Sequence, residues 1–179
     1  MILKAADFAA RRHRDQRRKG AGQSPYINHP LRVAHLIAEV GGVDDAEIIA
    51  AALLHDTVED TDTRPEEIAQ LFGERVRELV MEVSDDKGLD FKARKRLQIE
   101  HAPGLSPGAV LIKLADKISN IRDIIDAPPE GWSVERRARY LDWAEAVIDG
   151  CRQCNPALES LFRDTLAEGR QALAGADGS

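Results

Sequence analysis

The chain has 179 residues, of which 43% are hydrophobic and 31% are charged, and its formal net charge is −6. That length fits one domain with its own hydrophobic core. The negative net charge argues against non-specific binding to DNA or RNA, because their backbones would repel an acidic surface. No stretch approaches the ~20 apolar residues of a membrane span, and the N-terminus lacks the apolar core of a secretory signal, so we expect a cytoplasmic protein.

Apolar residues recur at helical spacing along the whole chain, and glycines and prolines mark the helix ends. The predicted helices are, in chain order, residues 2–19, Pro30 to the stop at Gly41-Gly42, the run 48–54, 63–73, 76–83, 92–102, 109–125, one that begins at Ser133 and one that begins at Asn155-Pro156. Every strand-like alternative is weak. The sequence therefore predicts an all-α fold, a single compact bundle over residues 1–171, with a tail at 172–179 that frays.

Three of the predicted helix starts carry capping residues. Asp44 or Asp45 can cap the helix that contains the apolar run 48–54. Thr63 with Glu66 three residues later has the spacing of a capping box. Ser133 can cap the helix that follows it.

Two histidines and two aspartates recur in the order H, HD, D, as His29, the adjacent His55 and Asp56, and Asp116. Two imidazoles and two carboxylates suit a divalent first-row transition ion in an oxygen-rich field. Asp116 lies in an otherwise apolar helix, where a buried carboxylate needs a cation or strong hydrogen-bond partners. A salt bridge to a neighbouring lysine would satisfy Asp116 by itself, but with the other three residues available, metal binding is the better explanation.

A second acidic pair, Glu59 and Asp60, follows the His-Asp pair. Each of these two residues stands four positions after one member of that pair, so on a continuous helix they lie one turn, ~5.4 Å, further along the axis. This distance suits groups that handle an attacking water without binding the metal, which favours hydrolysis. Asn120 follows the last ligand by one helical turn, so it faces the same side and can reach what the metal binds.

The segment from Arg11 to Lys19 contains six basic residues. One interpretation is a solvated helix face, and the other is a binding surface for a small polyanion. Arg17, Arg18 and Lys19 lie only a short loop before the first predicted ligand. Arginine forks and a lysine point charge are well suited to a pyrophosphate group.

The remaining cysteines, histidines and aromatic residues do not form a clear functional site. Cys151 and Cys154 have C-x-x-C spacing, but neither a redox motif nor a zinc site has the context it needs, so we expect two reduced thiols. Three histidines without a suitable neighbouring carboxylate are expected to pack or lie at the surface: His13, His35 and His101. Three aromatic residues are most simply core or interface anchors: Trp132, Tyr140 and Trp143.

The motifs around the predicted ligands resemble the HD superfamily of metal-dependent phosphohydrolases. Four segments resemble the hydrolase domain of Rel/Spo alarmone enzymes: Ala5 to Arg18, Ser24 to Pro30, AALLHDTVEDT at 51–61 and KLADKISNIR at 113–122. The chain is most similar to the stand-alone small alarmone hydrolases of the metazoan Spo-homologue type, over about Ala5 to Leu161. This resemblance implies an HD-domain fold of about eight to ten helices. It also implies hydrolysis of the 3′-pyrophosphate of guanosine tetra- or pentaphosphate, with manganese as the usual ion.

The resemblance assigns roles by position. It implies that one Mn²⁺ is bound by four residues: His29, His55, Asp56 and Asp116. It implies that Glu59 and Asp60 position or activate the attacking water, and that three residues contact the substrate: Arg18, Lys19 and Asn120. Because a synthetase domain is absent, synthesis of the alarmone is not expected.

Several alternatives stay open from the sequence. The same chemistry could act on an adenosine alarmone or on the 2′-phosphate of NADPH. A different class is a nucleotide-sensing module that keeps the fold without catalysis, and a third is a structural zinc protein that uses Cys151 and Cys154. A small nucleotide polyphosphate is the expected partner, with neither nucleic acid nor membrane. The oligomeric state stays open, with a homodimer as one option.

Overall fold

The computed structural model describes residues 1–20 and 22–176. That part of the chain contains ten α-helices: α1 Ile2–Arg12, α2 Asn28–His35, α3 Ala46–Leu54, α4 Thr57–Asp60, α5 Pro65–Phe72, α6 Glu74–Val83, α7 Phe91–His101, α8 Pro107–Asp126, α9 Val134–Gly150 and α10 Pro156–Ala176. A π-helical turn follows α2, and a 3-10 turn follows α7. The predicted all-α bundle is confirmed. No helix in the described part is both long and apolar enough to cross a membrane.

Helices α3 and α8 form the centre of the bundle. Residues 48–54 of α3 are all buried, and α8 contributes thirteen buried residues over its length. Helix α3 packs against α1, α2 and α6, while α8 packs against α2, α6, α9 and α10. Full burial of one large aliphatic side chain stabilises a fold by roughly 1.5–3 kcal/mol, so these two helices fix the frame. The end of α3 and the middle of α8 therefore have well-defined positions relative to each other.

Helix capping follows the sequence at two of the three predicted positions. The side chain of Asp45 accepts hydrogen bonds from the amides of Glu47 and Ile48, so Asp45 rather than Asp44 is the cap. Ser133 accepts from the amide of Arg136. The capping box predicted at Thr63 is wrong, because α5 begins at Pro65 and its N-cap is Arg64, in an extended conformation with no side-chain cap. A residue before proline is sterically disfavoured in the helical region, so Arg64 cannot be part of the helix.

The first helix is shorter than predicted, ending at Arg12 rather than near Lys19. Segment 13–20 instead pairs with the segment that leads into α2. The amide of Arg18 donates to the carbonyl of Ser24 at 2.9 Å, and the amide of Tyr26 donates to that of Gln16 at 3.1 Å. These contacts satisfy backbone groups that the helix would otherwise have paired. They also place Arg18 and Lys19 beside the start of α2.

The C-terminal helix continues beyond the predicted domain end at residue 171. Helix α10 runs through Ala176, and Leu173 is buried against the core, whereas the sequence predicts a frayed tail from residue 172. Residues 177–179 of that predicted tail lie outside the described residues, as does Ala21 in the loop after Lys19.

Candidate metal centre and active site

Four predicted metal ligands come together from three separate parts of the bundle. His29 lies in the first turn of α2, and Asp116 lies in the middle of α8. His55 and Asp56 occupy the short break between α3 and α4. Because α3 and α8 are held by the core, this break brings the His-Asp pair up against His29 and Asp116.

The distances within the cluster are short. His29 Nε2 lies 3.2 Å from Asp116 Oδ1, and His55 Nε2 lies 3.1 Å from Asp56 Oδ2. Potential ligand atoms of His29, His55 and Asp116 all lie within 4.8 Å of one another, and these three form a candidate metal-binding group. Asp56 is outside that compact set, although its Oδ2 atom is also 3.6 Å from His29 Nε2. This cluster has the residues that a divalent metal site needs.

Both imidazole rings are fixed through the nitrogen that faces away from the cluster. Nδ1 of His29 lies 3.0 Å from the hydroxyl of Ser119, and Nδ1 of His55 lies 2.7 Å from the carbonyl oxygen of Ala52. This pattern fixes the tautomer and ring direction of metal-binding histidines. Nε2 of His55 is buried and lacks a hydrogen-bond partner in the described part of the chain. Asp56 Oδ2 lies 3.1 Å away but outside hydrogen-bond geometry, so this buried nitrogen suits a ligand position of a bound cation.

The charges of the cluster also fit a cation. Burial disfavours ionisation of Asp116, but the charge of Lys117 and the bond with His29 outweigh it and hold the pKa of Asp116 well below the ordinary value. Burial lowers the pKa of His55, but the Asp56 charge outweighs that effect and raises the pKa to about 9. At His29 burial prevails and the pKa falls. Burial also disfavours ionisation of Asp56, but the charge of His55 outweighs burial and lowers the pKa of Asp56. Both carboxylates therefore stay ionised and favour positive charge between them.

The acidic pair is placed by a short helix of its own. Helix α3 ends before His55, and Glu59 and Asp60 lie on α4, so the continuous helix assumed from the sequence is interrupted. The amide of Asp85 donates to Glu59 Oε2 at 3.0 Å. Burial is the largest cause that raises the pKa of Glu59. The charges of Asp85 and Asp56 raise it further, whereas the hydrogen bond from the Asp85 amide lowers it. Glu59 is thus a better proton acceptor than an ordinary surface carboxylate.

Tyr26 links the acidic pair to the metal cluster. Its hydroxyl donates to Asp56 Oδ2 at 2.7 Å and lies 3.3 Å from Asp60 Oδ2. Its ring stacks on the buried ring of His13, with 4.8 Å between the centroids. Burial, followed by the charges of Asp56 and Asp60, raises the pKa of Tyr26, which therefore stays a hydrogen-bond donor. Tyr26 lies only three residues before His29 in the sequence, but nothing local indicates its contacts with Asp56 and Asp60.

All nine predicted site residues line one pocket of about 300 Å³: Arg18, Lys19, His29, His55, Asp56, Glu59, Asp60, Asp116 and Asn120. An adjoining cleft of about 470 Å³ shares part of this lining and extends toward Pro129 and Ala127. Arg18 donates to Asp123 Oδ2 at 2.6 Å and to Asn120 Oδ1 at 2.6 Å. Lys117, one alternative partner for Asp116, lies 2.9 Å from Asp116 Oδ2. That ion pair and a candidate metal site therefore coexist.

The structure adds a wall of aromatic and basic residues that the sequence analysis did not identify: Phe91, Arg94, Lys95, Lys113, Lys117, Trp132, Tyr140 and Trp143. Trp132, Tyr140 and Trp143 were expected to be only core or interface anchors, but they line the pocket. The available signal was the repetition of aromatic and basic residues at helical spacing within 91–95 and 140–143. Each side chain alone is typical of an amphipathic helix, so the sequence did not reveal their common pocket.

The cysteines contribute nothing to this pocket. Cys151 and Cys154 are free and partly exposed in the segment between α9 and α10. Burial raises the pKa of Cys151 to about 11 and also raises that of Cys154. Free thiols agree with the expectation of two reduced cysteines, and the raised pKa of each makes it a poor nucleophile near neutral pH.

Comparison with known proteins places this geometry in a family. A family model described as HD domain matches residues 5–141. The human protein "Guanosine-3′,5′-bis(diphosphate) 3′-pyrophosphohydrolase MESH1" is 53% identical over 166 residues, which cover 90% of this chain and 93% of that protein. The Xenopus tropicalis protein of the same name is 54% identical over 159 residues, with 89% of each chain covered.

Solved structures agree with the sequence comparisons. A structure described as "A metazoan ortholog of SpoT hydrolyzes ppGpp and plays a role in starvation responses" is similar with a TM-score of 0.91 and 44% identity. The match covers 93% of this chain and 94% of that chain. A Listeria monocytogenes protein, lmo0812, shares the fold with a TM-score of 0.67 at 24% identity.

Proposed function

This chain belongs to the HD-domain family, in the branch of the MESH1 proteins, and we propose that it hydrolyses the 3′-diphosphate of guanosine 3′,5′-bis(diphosphate). The products are GDP and inorganic pyrophosphate. In this reaction the oxygen of a water molecule bonds to the proximal phosphorus of the 3′-diphosphate, and the bond from that phosphorus to the ribose 3′-oxygen breaks. The ribose oxygen leaves with a proton.

We propose that the ion is Mn²⁺ and that four residues hold it: His29, His55, Asp56 and Asp116. Such an ion supplies Lewis-acid stabilisation of phosphoryl oxygens and makes a nearby water more acidic. The fit rests on the buried, unpartnered Nε2 of His55 and on the two ionised carboxylates beside it. Asp56 joins the set through Oδ2, which the hydroxyl of Tyr26 holds at 2.7 Å.

The acidic pair handles the water in this proposal. Glu59 accepts the proton from the attacking water, because its raised pKa makes it a stronger base than an ordinary carboxylate, and the proton then passes to the departing ribose oxygen. Asp60 orients the same water. Both side chains line the pocket of the metal cluster without belonging to the compact candidate group. Proton transfer by a positioned side chain contributes typically about 10²–10⁴-fold to a rate.

The cations of the pocket bind the substrate in this proposal. Arg18 and Lys19 contact the nucleotide phosphates, and Asn120 contacts the nucleoside beside Asp116. Arg18 is held by Asp123 and Asn120, so its guanidinium has a fixed direction before substrate arrives. The single observation that carries the proposed function is one pocket that contains the His-Asp cluster, an adjacent acidic pair and this set of cations.

The test is a nucleotide panel with metal-depleted protein and metal added back. We expect guanosine 3′,5′-bis(diphosphate) to be hydrolysed when Mn²⁺ is restored and to remain intact without metal. The panel includes the adenosine alarmone and NADPH as alternative substrates, and Zn²⁺ and Mg²⁺ as alternative ions. If either alternative nucleotide is turned over faster, that nucleotide rather than guanosine 3′,5′-bis(diphosphate) is the substrate. No turnover of any of them, with metal bound, would favour a sensing module.

A further inference from the structure

Most cations that line the pocket are already paired within the protein. Lys117 pairs with Asp116 at 2.9 Å, and Arg18 pairs with Asp123 at 2.6 Å. Arg94 lies 3.5 Å from Glu59 Oε1. The ammonium of Lys113 donates to the carbonyl oxygen of Val83 at 2.8 Å. These charges are partly compensated before any ligand enters.

Lys95 differs from these residues because its ammonium contacts three aromatic rings and is not paired with a carboxylate or carbonyl oxygen of the described residues. Its Nζ atom lies 3.9 Å from the ring centre of Trp143 and 5.1 Å from the ring centres of Tyr140 and Phe91. Cation–π attraction holds the ammonium there, although more weakly than a carboxylate would. Trp143 also donates its Nε1 hydrogen to the carbonyl oxygen of Lys95 at 3.0 Å. The side chain therefore has a defined position with no anion attached.

The charges that face Lys95 are positive. Burial is the first cause that lowers its pKa, to about 8, and the charges of Lys117 on α8 and Arg136 on α9 add to the effect. No carboxylate oxygen lies within 4.0 Å of its Nζ atom in the described ranges 1–20 and 22–176. Lys19 likewise lacks such a partner there, but it is exposed to solvent. An anion that enters the pocket would relieve this repulsion at Lys95.

We propose that Lys95 is a specificity-determining residue that binds the 3′-diphosphate of the substrate and, after cleavage, the inorganic pyrophosphate product. This inference rests on the proposed function. The 3′-diphosphate is favoured over the 5′-diphosphate because Lys95 lines the pocket of the His-Asp cluster and is not part of the lining of the adjoining cleft. The nucleoside and the 5′-diphosphate extend into that cleft, beside Arg18 and Lys19.

Binding of the two products tests this assignment without turnover. Titration calorimetry with the Mn²⁺-loaded protein compares inorganic pyrophosphate with GDP for wild type, Lys95→Met, Lys95→Arg and the exposed control Lys92→Met. We expect Lys95→Met to weaken pyrophosphate binding by about tenfold or more, the usual range for a lost charge-assisted hydrogen bond. GDP binding should change less than about twofold, and Lys95→Arg should recover most of the pyrophosphate affinity. Unchanged pyrophosphate affinity in Lys95→Met, or an equal loss for GDP, would overturn the assignment.

Kinetics provide a second readout that a structural role would not produce. With guanosine 3′,5′-bis(diphosphate), Lys95→Met should raise KM by about tenfold while kcat changes less than about threefold, because the interaction is made before the bond breaks. A loss confined to kcat would contradict the proposal. If wild type binds pyrophosphate through Lys95 but cleaves none of the nucleotides, the proposed function fails while the anion site stands.

Discussion

The ammonium of Lys87 lies 3.0 Å from Asp60 Oδ1, so a loop residue between α6 and α7 pairs with one member of the acidic pair. The same loop contacts the other member, because the amide of Asp85 donates to Glu59 at 3.0 Å. Asp85 is in turn tied to Gln98 of α7 by two hydrogen bonds of 2.8 and 2.9 Å. One loop thus orients both carboxylates.

The pair between Lys87 and Asp60 leads to a prediction about substrate binding. In Lys87→Met we expect kcat/KM to fall about threefold to tenfold, because a polyphosphate then enters an acidic site with one cation fewer. Lys87→Arg should recover most of the loss. Both side chains are substantially exposed, so the free energy of unfolding should change by less than about 1 kcal/mol. Steady-state kinetics and denaturant titration measure both, and wild-type kcat/KM in Lys87→Met would contradict the prediction.

Removal of the proposed base should slow turnover strongly without unfolding the protein. In Glu59→Gln we expect kcat to fall by about 10²–10⁴-fold, since the amide keeps the shape and can still accept the Asp85 hydrogen bond but cannot take a proton. Exposed Glu66 on α5 provides the matched control, and Glu66→Gln should keep wild-type kcat. Rapid-quench assays and thermal melting separate chemistry from folding. Full activity in Glu59→Gln would remove Glu59 from the mechanism.

Metal binding by the His-Asp cluster predicts a metal-dependent melting temperature. Mn²⁺ at about 100 times its Kd should stabilise the wild type by about 2.7 kcal/mol, because only the folded state has the assembled site. In His55→Ala this increase should be lost, whereas His35→Ala, which removes an exposed histidine of α2, should keep it. Scanning calorimetry with and without Mn²⁺ measures the shift. An equal shift in His55→Ala would place the ion elsewhere.

Asp123 links Arg18 and Arg32, which gives a prediction for stability against pH. Burial raises its pKa, but the charge of Arg18 and the bonds to both arginines outweigh burial and lower it from 3.8. A carboxyl with a lowered pKa in the folded state contributes stability above its unfolded pKa, and the contribution disappears as pH falls through the folded value. Asp123→Asn should therefore be less stable than wild type at pH 7, and the difference should shrink below pH 3.8.

The exposed Asp126 at the end of the same helix provides the control for this experiment. Asp126→Asn should match wild type at both pH values, because Asp126 has no ion pair with any residue of 1–20 or 22–176. Urea titrations at pH 7 and below pH 3.8 measure the difference in free energy of unfolding between each variant and wild type. A destabilisation by Asp123→Asn that is constant across this pH range would show that packing, rather than the ion pairs, accounts for the effect.

Local signals predicted much of the fold because they act over a few residues. The apolar run 48–54 specifies a helix, and Gly73 marks the end of another. Asp45 and Ser133 cap helices in the structure, as their positions in the sequence predict. The failures arise where contacts distant in sequence prevail. Residues 13–20 pair with the segment before α2 instead of extending α1, and Pro65 moves the start of α5.

In the candidate site, too, local sequence signals predicted some residues, and contacts distant in sequence determine the others. His55, Asp56, Glu59 and Asp60 are close in sequence, so spacing alone placed them on one side of the chain. The contribution of Lys95 depends on how α7 packs beside α9, and that packing has no local signature. The role of Tyr26 likewise depends on Asp56, which lies thirty residues away in sequence.

The most direct test of the account is an analysis of the products formed from guanosine 3′,5′-bis(diphosphate) by the Mn²⁺-loaded protein. Anion-exchange chromatography of a reaction in ¹⁸O-labelled water, followed by mass spectrometry, identifies both the products and the bond that breaks. We expect GDP and pyrophosphate in equal amounts, with the label in pyrophosphate. Release of orthophosphate, label in GDP, or no conversion by protein with metal bound would contradict it.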